Sequence, residues 1–374
     1  MEWKQYELGE LLLYEQPTAY LVQSENYNDN NPIPVLTAGK SFILGYTNET
    51  KGIFTQLPVI IFDDFTTATQ YVNFPFKVKS SAMKILHINT DLVLPKFIYY
   101  VLQTIQFDHS THKRYWIQQY SHIKVAIPEK NEQTRIVSRI EELFSELDAG
   151  VETLRKTQRQ LETYRQAVLK EAFSEYRQRQ SIESISSLVT SGSRGWAKYY
   201  SDEGARFVRI TDLTRDKITL SDDKIQRVNI PNKAEGKRSL LFPNDLLISI
   251  TADLGSIALV PNDIGEAYIN QHIALVRLNN SAQSEFIAWY LKSDFGQKEL
   301  LKNKRGAGKM GLGLDDIRKT LVPIVDDINA KKTVNIIDNK LSVCYNIEKT
   351  ITTSLQQAEA LRQSILKRAF EGKL

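Results

Sequence analysis

The side chains with the clearest chemical potential in this sequence are basic and aromatic, and they form three clusters. The first contains His109, His112, Lys113, Arg114 and Tyr115, the second Arg194, Trp196, Lys198, Tyr199 and Tyr200, and the third Lys302, Lys304, Arg305 and Lys309. Lys and Arg pair with phosphates, and the Arg fork also matches guanine edges in the major groove. One such cluster alone is typical of a solvated loop, so the DNA interpretation depends on the elements that position all three.

No other group of residues has the spacing of a catalytic or metal site. Asn303 and Met310 stand where a P-loop needs its leading Gly and its Ser or Thr. No Gly-x-Gly-x-x-Gly stands between a predicted strand and a predicted helix, and the Asn/Asp-Pro-Pro-Tyr/Phe tetrapeptide of amino-methyltransferases does not occur in the sequence. His109 and His112 have no Cys or Glu nearby to complete a metal site. We therefore predict no catalytic residue and no metal ligand.

Composition indicates an ordinary globular protein. The 374 residues suffice for two to three domains, and 42% hydrophobic with 25% charged residues excludes wholesale disorder. A net charge of +4 is too small for a polybasic protein but allows a local nucleic-acid face. The single cysteine, Cys344, cannot form an internal disulfide. No apolar run could span a bilayer and Met1–Lys4 does not resemble a signal peptide, so we expect a cytoplasmic protein without membrane contact.

An internal repeat organises the chain. The segment from Ala167 to Phe173 recurs as Ser364 to Phe370, 197 residues later (370 − 173), and the match runs back without a gap to Val125 and Val322. Polar identities align as well as apolar ones, which general amphipathicity does not explain. We therefore predict a duplication.

Both copies read as long helices with a coiled-coil seam. Apolar residues recur every seven positions, as they do along the contact line of packed helices. The seam residues are Ile140, Leu147, Leu154, Leu161 and Val168 in the first copy, and Ile337, Cys344, Ile351 and Ile365 in the second. Four polar residues interrupt the seams: Gln158, Arg165, Glu348 and Arg362. Cys344 lies in the seam, which favours a buried apolar role over a reactive thiol.

The repeat divides the chain into four parts. We predict globular segments over 1–125 and 181–320 and long helices over 126–180 and 321–374. Both globular segments contain short β-rich runs, and each ends in a similar amphipathic run before the helix, as at 97–102 and 286–291. The whole unit of globe and helix is therefore predicted to be duplicated, within an α+β fold.

The arrangement resembles the specificity subunit of type I restriction-modification enzymes over nearly the whole chain. The strongest similarity lies in the helices: Ile127-Pro128, the run Glu132-Gln133-Thr134-Arg135-Ile136-Val137, and the closing run 366–374. The stretches 34–40 and 270–275 are similar to parts of that family's target-recognition domains, and the first contains Lys40. The second helix departs from the pattern, because Asp326 to Lys331 replace the Pro-x-x-Glu-Gln entry.

The resemblance implies a function and partners. Each globular segment would be a target-recognition domain that reads one half of an asymmetric bipartite site in double-stranded DNA. The helices would pack as an antiparallel coiled coil with pseudo-two-fold symmetry, set the spacer length and bind modification (methyltransferase) subunits. It further implies two modification and two restriction or translocase subunits, with S-adenosylmethionine, ATP and magnesium bound there and no cofactor in this chain.

With this framework, the predicted DNA-binding residues are Lys40, His112, Lys113, Arg114, Tyr115, Arg194, Trp196, Lys198, Lys302, Lys304, Arg305 and Lys309. Two alternatives remain at this point. A DNA-processing enzyme is disfavoured, because two globes and two helices leave no room for methyltransferase motifs. A coiled-coil scaffold whose globes bind proteins would differ by having no salt-dependent DNA affinity.

Overall fold

A computed structural model describes residues 3–37, 42–105, 115–230, 236–305 and 310–374. The chain forms two compact units. The first unit comprises Met1–Leu154 with Thr353–Leu374, and the second comprises Arg155–Thr352. Each unit therefore contains one globular segment and part of both long helices.

The described residues of the globular part of the first unit form short strands and three α-helices. The strands are β1 (Lys4–Glu7), β2 (Leu12–Glu15), β3 (Ile33–Leu36), β4 (Ile43–Thr47), β5 (Val59–Asp63), β6 (Thr69–Val72), β7 (Lys77–Val78), β8 (Met83–Ile88) and β9 (Lys124–Ile127). The α-helices are α1 (Leu8–Leu11), α2 (Pro95–Thr104) and α3 (Tyr115–Gln118), and Pro17–Tyr20 and Tyr120–His122 form 3-10 turns. The first long helix, α4 (Lys130–Phe173), follows.

The central sheet of the first unit is buried on both faces. Its strand order is β2-β8-β5-β6, and a second sheet has the order β4-β3-β7. Successive side chains of a strand point to opposite faces. Accordingly, Ile60 and Phe62 of β5 join a core with α2, α4 and the C-terminal residues, whereas Val59 and Ile61 pack with Phe54 and the second sheet. This double burial explains the continuous apolar run of β5.

The second unit repeats this plan. Its strands are β10 (Arg179–Ser181), β11 (Ser186–Ser191), β12 (Tyr200–Ser201), β13 (Ala205–Val208), β14 (Gln226–Val228), β15 (Leu246–Ser249), β16 (Ile257–Leu259), β17 (Ala267–Ile269), β18 (Ile273–Leu278) and β19 (Leu321–Pro323). Its α-helices are α5 (Ile182–Ile185), α6 (Ser284–Lys292), α7 (Asp294–Leu301) and α8 (Leu314–Lys319), followed by the second long helix, α9 (Asp327–Phe370). Trp196–Tyr199, Ile210–Asp212, Lys237–Ser239 and Ser281–Gln283 form 3-10 turns.

The strand orders confirm the predicted duplication. The second unit has sheets β11-β18-β15-β16 and β12-β14-β13-β17, which match the first unit apart from the added β12. The parallel pairs also correspond, because β3 pairs with β7 and β13 with β17. In each unit, finally, the first strand pairs with the strand that leads into a long helix.

The two long helices pack antiparallel within each unit. Seven of the nine predicted seam residues are buried, whereas Leu147 and Leu154 are half-buried. In the second unit Arg165 forms an ion pair with Glu348 and stacks 5.0 Å from the Tyr345 ring centroid. In the first unit Arg362, the repeat equivalent of Arg165, pairs with Asp148. Three of the four seam interruptions are therefore partners in charge pairs between the helices, a known device for fixing register.

The junction between globe and long helix differs between the units. In the first, buried Gln133 accepts from Leu94 N (2.7 Å) and donates to the carbonyls of Leu92 (3.1 Å) and Pro128 (2.9 Å). In the second, the equivalent residue is Ala330. There Gln283 of the globe donates instead to Val325 O (3.0 Å) and Asp327 Oδ1 (2.9 Å). The second junction therefore uses an amide from the globe in place of one from the helix, which accounts for the absence of a Gln at position 330.

Gln133→Ala is expected to lower the free energy of unfolding by roughly 2–4 kcal/mol, because it leaves one buried N–H and two carbonyls unpaired. Urea denaturation measures the change. Gln160→Ala, at an exposed site of the same helix, is the matched control and should change stability by less than about 0.5 kcal/mol. Equal effects of the two substitutions would contradict the role assigned to Gln133.

Lys292, at the end of α6, gives the second unit a pH-dependent stability. Burial lowers the pKa of its amine from the ordinary 10.5 to about 7, and Nζ donates to Thr214 O (2.7 Å). Between these pH values the unfolded chain binds the extra proton, so the free energy of unfolding rises with pH. Lys292→Met should remove that rise and stabilise the chain below pH 7, by a few kcal/mol at most. Urea denaturation at a series of pH values between 7 and 10.5 measures the free energy of unfolding of the parent chain and of Lys292→Met. The same dependence on pH in both proteins would contradict the prediction.

Candidate nucleic-acid interface

Several chain segments meet at one end of the central sheet in the second unit, where its strands begin or end. Because β18 is antiparallel to both of its neighbours, its start lies beside the ends of β11 and β15. The residues that follow β11, precede β18 and follow β15 therefore meet at this edge. We call it the reading edge of the second unit, and its segments are 192–196, 250–256 and 270–272, together with the hairpin stem at Arg305 and Gly311.

Close backbone contacts hold these segments together. A Cβ on Gly192 would lie 2.0 Å from Ile269 O, so only glycine allows the 192–196 segment to approach residue 270 this closely. Ile250 N donates to His272 O (2.9 Å), and Thr251 forms a β-bridge with Gly311. The edge is thus a continuous surface formed by residues far apart in sequence.

Three polar residues of the reading edge, Gln271, His272 and Thr251, are joined by hydrogen bonds, and we call them the polar triad. Gln271 Nε2 donates to His272 Nε2 (2.8 Å), so His272 Nδ1 carries the proton donated to Thr251 Oγ1 (2.6 Å). Asn270 Oδ1 accepts from the His272 backbone N–H (3.0 Å). Gln271 Oε1 and the second N–H of its amide form no hydrogen bond with a described residue, and these are the groups with which Gln contacts adenine in a major groove.

Basic side chains surround the triad. Arg305 and Gly311 exchange backbone hydrogen bonds (3.1 and 2.8 Å), which close a hairpin stem at the third basic cluster. The Arg305 side chain is 80% exposed and pairs with buried Asp316 (3.1 Å), which fixes its direction. Among the described residues, Lys304 and Arg194 form no ion pair and are exposed. Arg238 adds a further guanidinium, which donates to Ser193 Oγ (3.4 Å).

Two of the predicted DNA-binding side chains, Trp196 and Tyr115, are buried in the core. Trp196 is 6% exposed and packs against Phe207 and Tyr268, with ring centroids 4.9 and 5.5 Å apart. Tyr115 is 1% exposed and begins α3. Each aromatic residue packs in the core next to basic residues in sequence, so its proximity to Lys and Arg in sequence is explained by packing.

The remaining predicted residues fall into two groups. Lys198 and Lys302 are both exposed. The Lys198 amine lies 4.9 Å from the Tyr199 ring centroid. Lys302 directly follows α7 and forms an ion pair with Glu299 of that helix. Both stay predictions, and neither contacts the triad. Lys40, His112, Lys113, Arg114 and Lys309 lie outside the described residues.

The first unit has an equivalent reading edge with different chemistry. Tyr115 N donates to Asp64 O (3.5 Å), just as Leu312 N donates to Ile250 O (2.9 Å) in the second unit. Asp64 and Ile250 each follow the central strand directly, and Tyr115 and Leu312 are 197 residues apart (312 − 115). The basic residues 109–114 and the third basic cluster therefore precede equivalent anchor points, Tyr115 and Leu312, in the sequence.

The anchor of the first unit is a buried charge pair. Asp64 Oδ1 accepts from Trp116 N (2.9 Å), while Lys84 lies 3.6 Å from Asp64 Oδ2 and donates to Gln16 Oε1 (2.6 Å). In place of Asn270-Gln271-His272, this unit has Ser80-Ser81-Ala82 before its β8. Equivalent positions in the two units thus present different hydrogen-bonding groups.

Sequence reasoning missed three residues of the reading edge of the second unit, Thr251, Gln271 and His272, and the neighbouring Arg238. The polar run Asn270-Gln271-His272 between two apolar strands was an available signal for part of this set. Its convergence with Thr251 depends on strand pairing that a local pattern does not contain. No group of potential metal ligands occurs among the described residues, and no helix within them is long and apolar enough to cross a membrane.

Comparisons with known proteins show the family to which the chain is similar. A family profile described as type I restriction modification DNA specificity domain matches residues 1–158 and 198–357. The chain is 31% identical to the type I restriction enzyme EcoR124I/EcoR124II specificity subunit of Escherichia coli, over 97% of this chain and 91% of that protein. It is 25% identical to the EcoBI specificity subunit of Escherichia coli over 46% of this chain and 36% of that protein.

The fold also matches a solved structure. A chain from a study of complex assembly and conformational transition in a type I restriction-modification system superposes with a TM-score of 0.68. The match covers 100% of this chain and 98% of that chain at 17% identity. At this identity the similarity bears on the fold alone.

Proposed function

The chain belongs to the family of type I restriction-modification DNA specificity subunits, and from this we propose how its two units divide the recognition of DNA. Each unit reads one half of a bipartite site in double-stranded DNA with its reading edge. The chain is a recognition subunit, so we assign it no catalytic step. The observation that carries the proposal is the pair of equivalent edges with different side chains.

The difference between the edges supports an asymmetric site. A palindromic site needs identical readers, because each half presents the same groups in the grooves. Here Gln271 and His272 in the second unit stand where the first has Ser81 and Ala82. The surrounding cations, Arg194 and Lys304 among them, supply phosphate contacts that position the protein without specifying sequence.

The long helices are proposed to set the spacer and to bind the partner subunits. Each has 44 residues, so it is about 66 Å long at ~1.5 Å per residue, comparable with two DNA turns of ~34 Å. We propose two modification and two restriction subunits in the complete complex. S-adenosylmethionine, ATP and magnesium would be bound by those subunits, in the cytoplasm.

Single-molecule methylation mapping in a host that carries the complete system tests the proposal. Deletion of the gene should abolish one bipartite methylated motif. Gln271→Ala should relax one position in one half of that motif and leave the other half unchanged. Asn262→Ala, exposed at the opposite edge of the same sheet, is the control and should leave the whole motif intact. A methylome that is unaffected by the deletion would overturn the proposal.

A further inference from the structure

A cavity of about 700 Å³ lies in the second unit, at the end of its sheets opposite the reading edge. Leu259, which lines the cavity, pairs with Leu246 at the start of β15, whereas the reading edge follows the end of that strand. The starts of β13 and β17 and the strand β14 form much of the remaining wall. None of the described residues of the reading edge lines this space, which we call the far cavity.

Two arginines lie next to each other in the wall of the far cavity. Arg206 of β13 is directly opposite Arg227 of β14. Side chains of a strand alternate between its faces, and Val208, two residues after Arg206, is 0% exposed in the hydrophobic core. Both guanidinium groups therefore lie on the core side of this sheet. Like charges in directly opposite positions of a sheet are destabilising.

The described residues compensate these two charges only in part. Arg206 Nη1 pairs with Asp222 (2.8 Å) and Nη2 donates to Ser221 O (2.9 Å), but the buried Nε has no hydrogen-bond partner. The Asp222 side chain is 72% exposed, so water screens its charge. Arg227 donates to Gly204 O (2.9 Å) and forms no ion pair with a described residue. An anion in the far cavity would relieve the repulsion and accept from the free N–H.

The first unit is an internal control for this feature. Its strand β3 pairs antiparallel with β4 and parallel with β7, as β13 does with β14 and β17. The registered pairs of β3 with β4 contain no charged residue, and Pro34 lies opposite Tyr46. This sheet of the repeat therefore forms without an arginine pair, so the fold does not require Arg206 and Arg227.

The apolar part of the wall indicates that the anion belongs to an organic molecule. Ligand cavities measure about 300–1,000 Å³ and are lined mainly by apolar side chains, with a few polar groups that orient the ligand. An inorganic ion bound at the arginines would leave most of the apolar wall in contact with water. The large apolar lining residues are Leu220, Ile225, Ile230, Leu259 and Ile264.

Two carboxylates besides Asp222 line the far cavity, and they differ in what they contact. Glu266 Oε1 accepts from the Tyr268 hydroxyl (2.6 Å), so that carboxylate already has a partner. Asp263 is exposed and forms no ion pair with a described residue. A free carboxylate in a nucleotide site accepts hydrogen bonds from ribose hydroxyls.

We propose that the far cavity binds a small organic phosphate of the size of a nucleoside monophosphate. The phosphate lies between Arg206 and Arg227, the base packs against the apolar wall, and a sugar hydroxyl donates to Asp263. The second unit has this site and the first does not, although the fold is duplicated. The inference does not rest on the proposed function, because the far cavity and the reading edge share no described residue.

Isothermal titration calorimetry of the complete chain tests the inference, with adenosine, guanosine, cytidine and uridine 5′-monophosphate titrated separately. At least one of the four should bind once per chain with a dissociation constant in the micromolar range. Its free nucleoside and inorganic phosphate should each bind at least about tenfold more weakly, because each lacks one half of the contacts. Binding of none of the four nucleotides would overturn the inference, as would equally tight binding of inorganic phosphate.

Arg227→Gln removes the cation that has no ion pair. It should weaken binding of that nucleotide at least about tenfold and leave the salt-dependent affinity for DNA at the parent value. Arg194→Gln, the same substitution at the reading edge, is the matched control and should leave the nucleotide affinity unchanged. Arg206→Lys keeps the charge beside Asp222 but removes the Nε–H, and it should also weaken nucleotide binding.

Three results with these variants would overturn the inference. They are an unchanged nucleotide affinity in both Arg227→Gln and Arg206→Lys, an equal loss of nucleotide affinity in Arg194→Gln, and a joint loss of nucleotide and DNA affinity in Arg227→Gln. The last would place the arginine pair in the DNA interface. A parent chain that binds a nucleotide but shows no affinity for DNA would contradict the proposed function and leave the far cavity as a nucleotide site.

Discussion

Ile337→Asp is expected to lower the free energy of unfolding by about 4–5 kcal/mol, the largest stability change predicted for this chain. Ile337 is 0% exposed and lies on the inner face of the second long helix. A carboxylate there would be buried without a partner, and the substitution also removes a large apolar side chain from the core. Urea denaturation of the complete chain measures the difference.

The preceding residue provides the control. Ile336 lies on the same helix and is 44% exposed, so Ile336→Asp should change stability by no more than about 0.5 kcal/mol. The two variants have the same composition and differ only in the face that carries the new charge. Similar losses in both would mean that the inner and outer faces of this helix are wrongly assigned.

The long helices could be predicted from sequence because their determinants are local. A seven-residue apolar period, repeated 197 residues apart, requires no knowledge of distant contacts. The polar seam residues were visible as interruptions, but their partners were not. Arg165 pairs with Glu348 and Arg362 with Asp148, and both pairings depend on the relative register of two helices that are distant in sequence.

The candidate site could be predicted only in part, for a related reason. The basic clusters were recognisable by composition, and Lys304 and Arg305 are indeed exposed. Burial of Trp196 depends on the rings of Phe207 and Tyr268, which come from other strands. In the same way, His272 meets Thr251 only after β15 and β18 have paired. The chemical types of the site residues can therefore be predicted from sequence. Which of these side chains lie together in space depends on the pairing of strands that are distant in sequence.

The largest expected change in binding is the effect of Lys304→Ala with Arg305→Ala on DNA affinity. If both cations contact phosphates, the slope of log K against log salt should become less negative by about 2. At ~0.1 M salt this corresponds to a loss of affinity on the order of 10- to 100-fold. Fluorescence anisotropy with the methylated motif as the DNA probe, over a series of salt concentrations, measures both quantities.

Lys331→Ala with Lys332→Ala removes the same charge from the outer side of the second long helix and should leave the slope unchanged. This comparison separates a local contact from a general electrostatic effect, which would weaken the DNA affinity of both variants equally.

Because Arg305 also pairs with Asp316, the single variant Lys304→Ala is measured as well. Lys304→Ala should make the slope of log K against log salt less negative by about 1 without disturbing that ion pair. A parent chain with no salt-dependent affinity would favour the protein-binding scaffold, whereas an unchanged slope in the double variant would exclude Lys304 and Arg305 from the DNA interface.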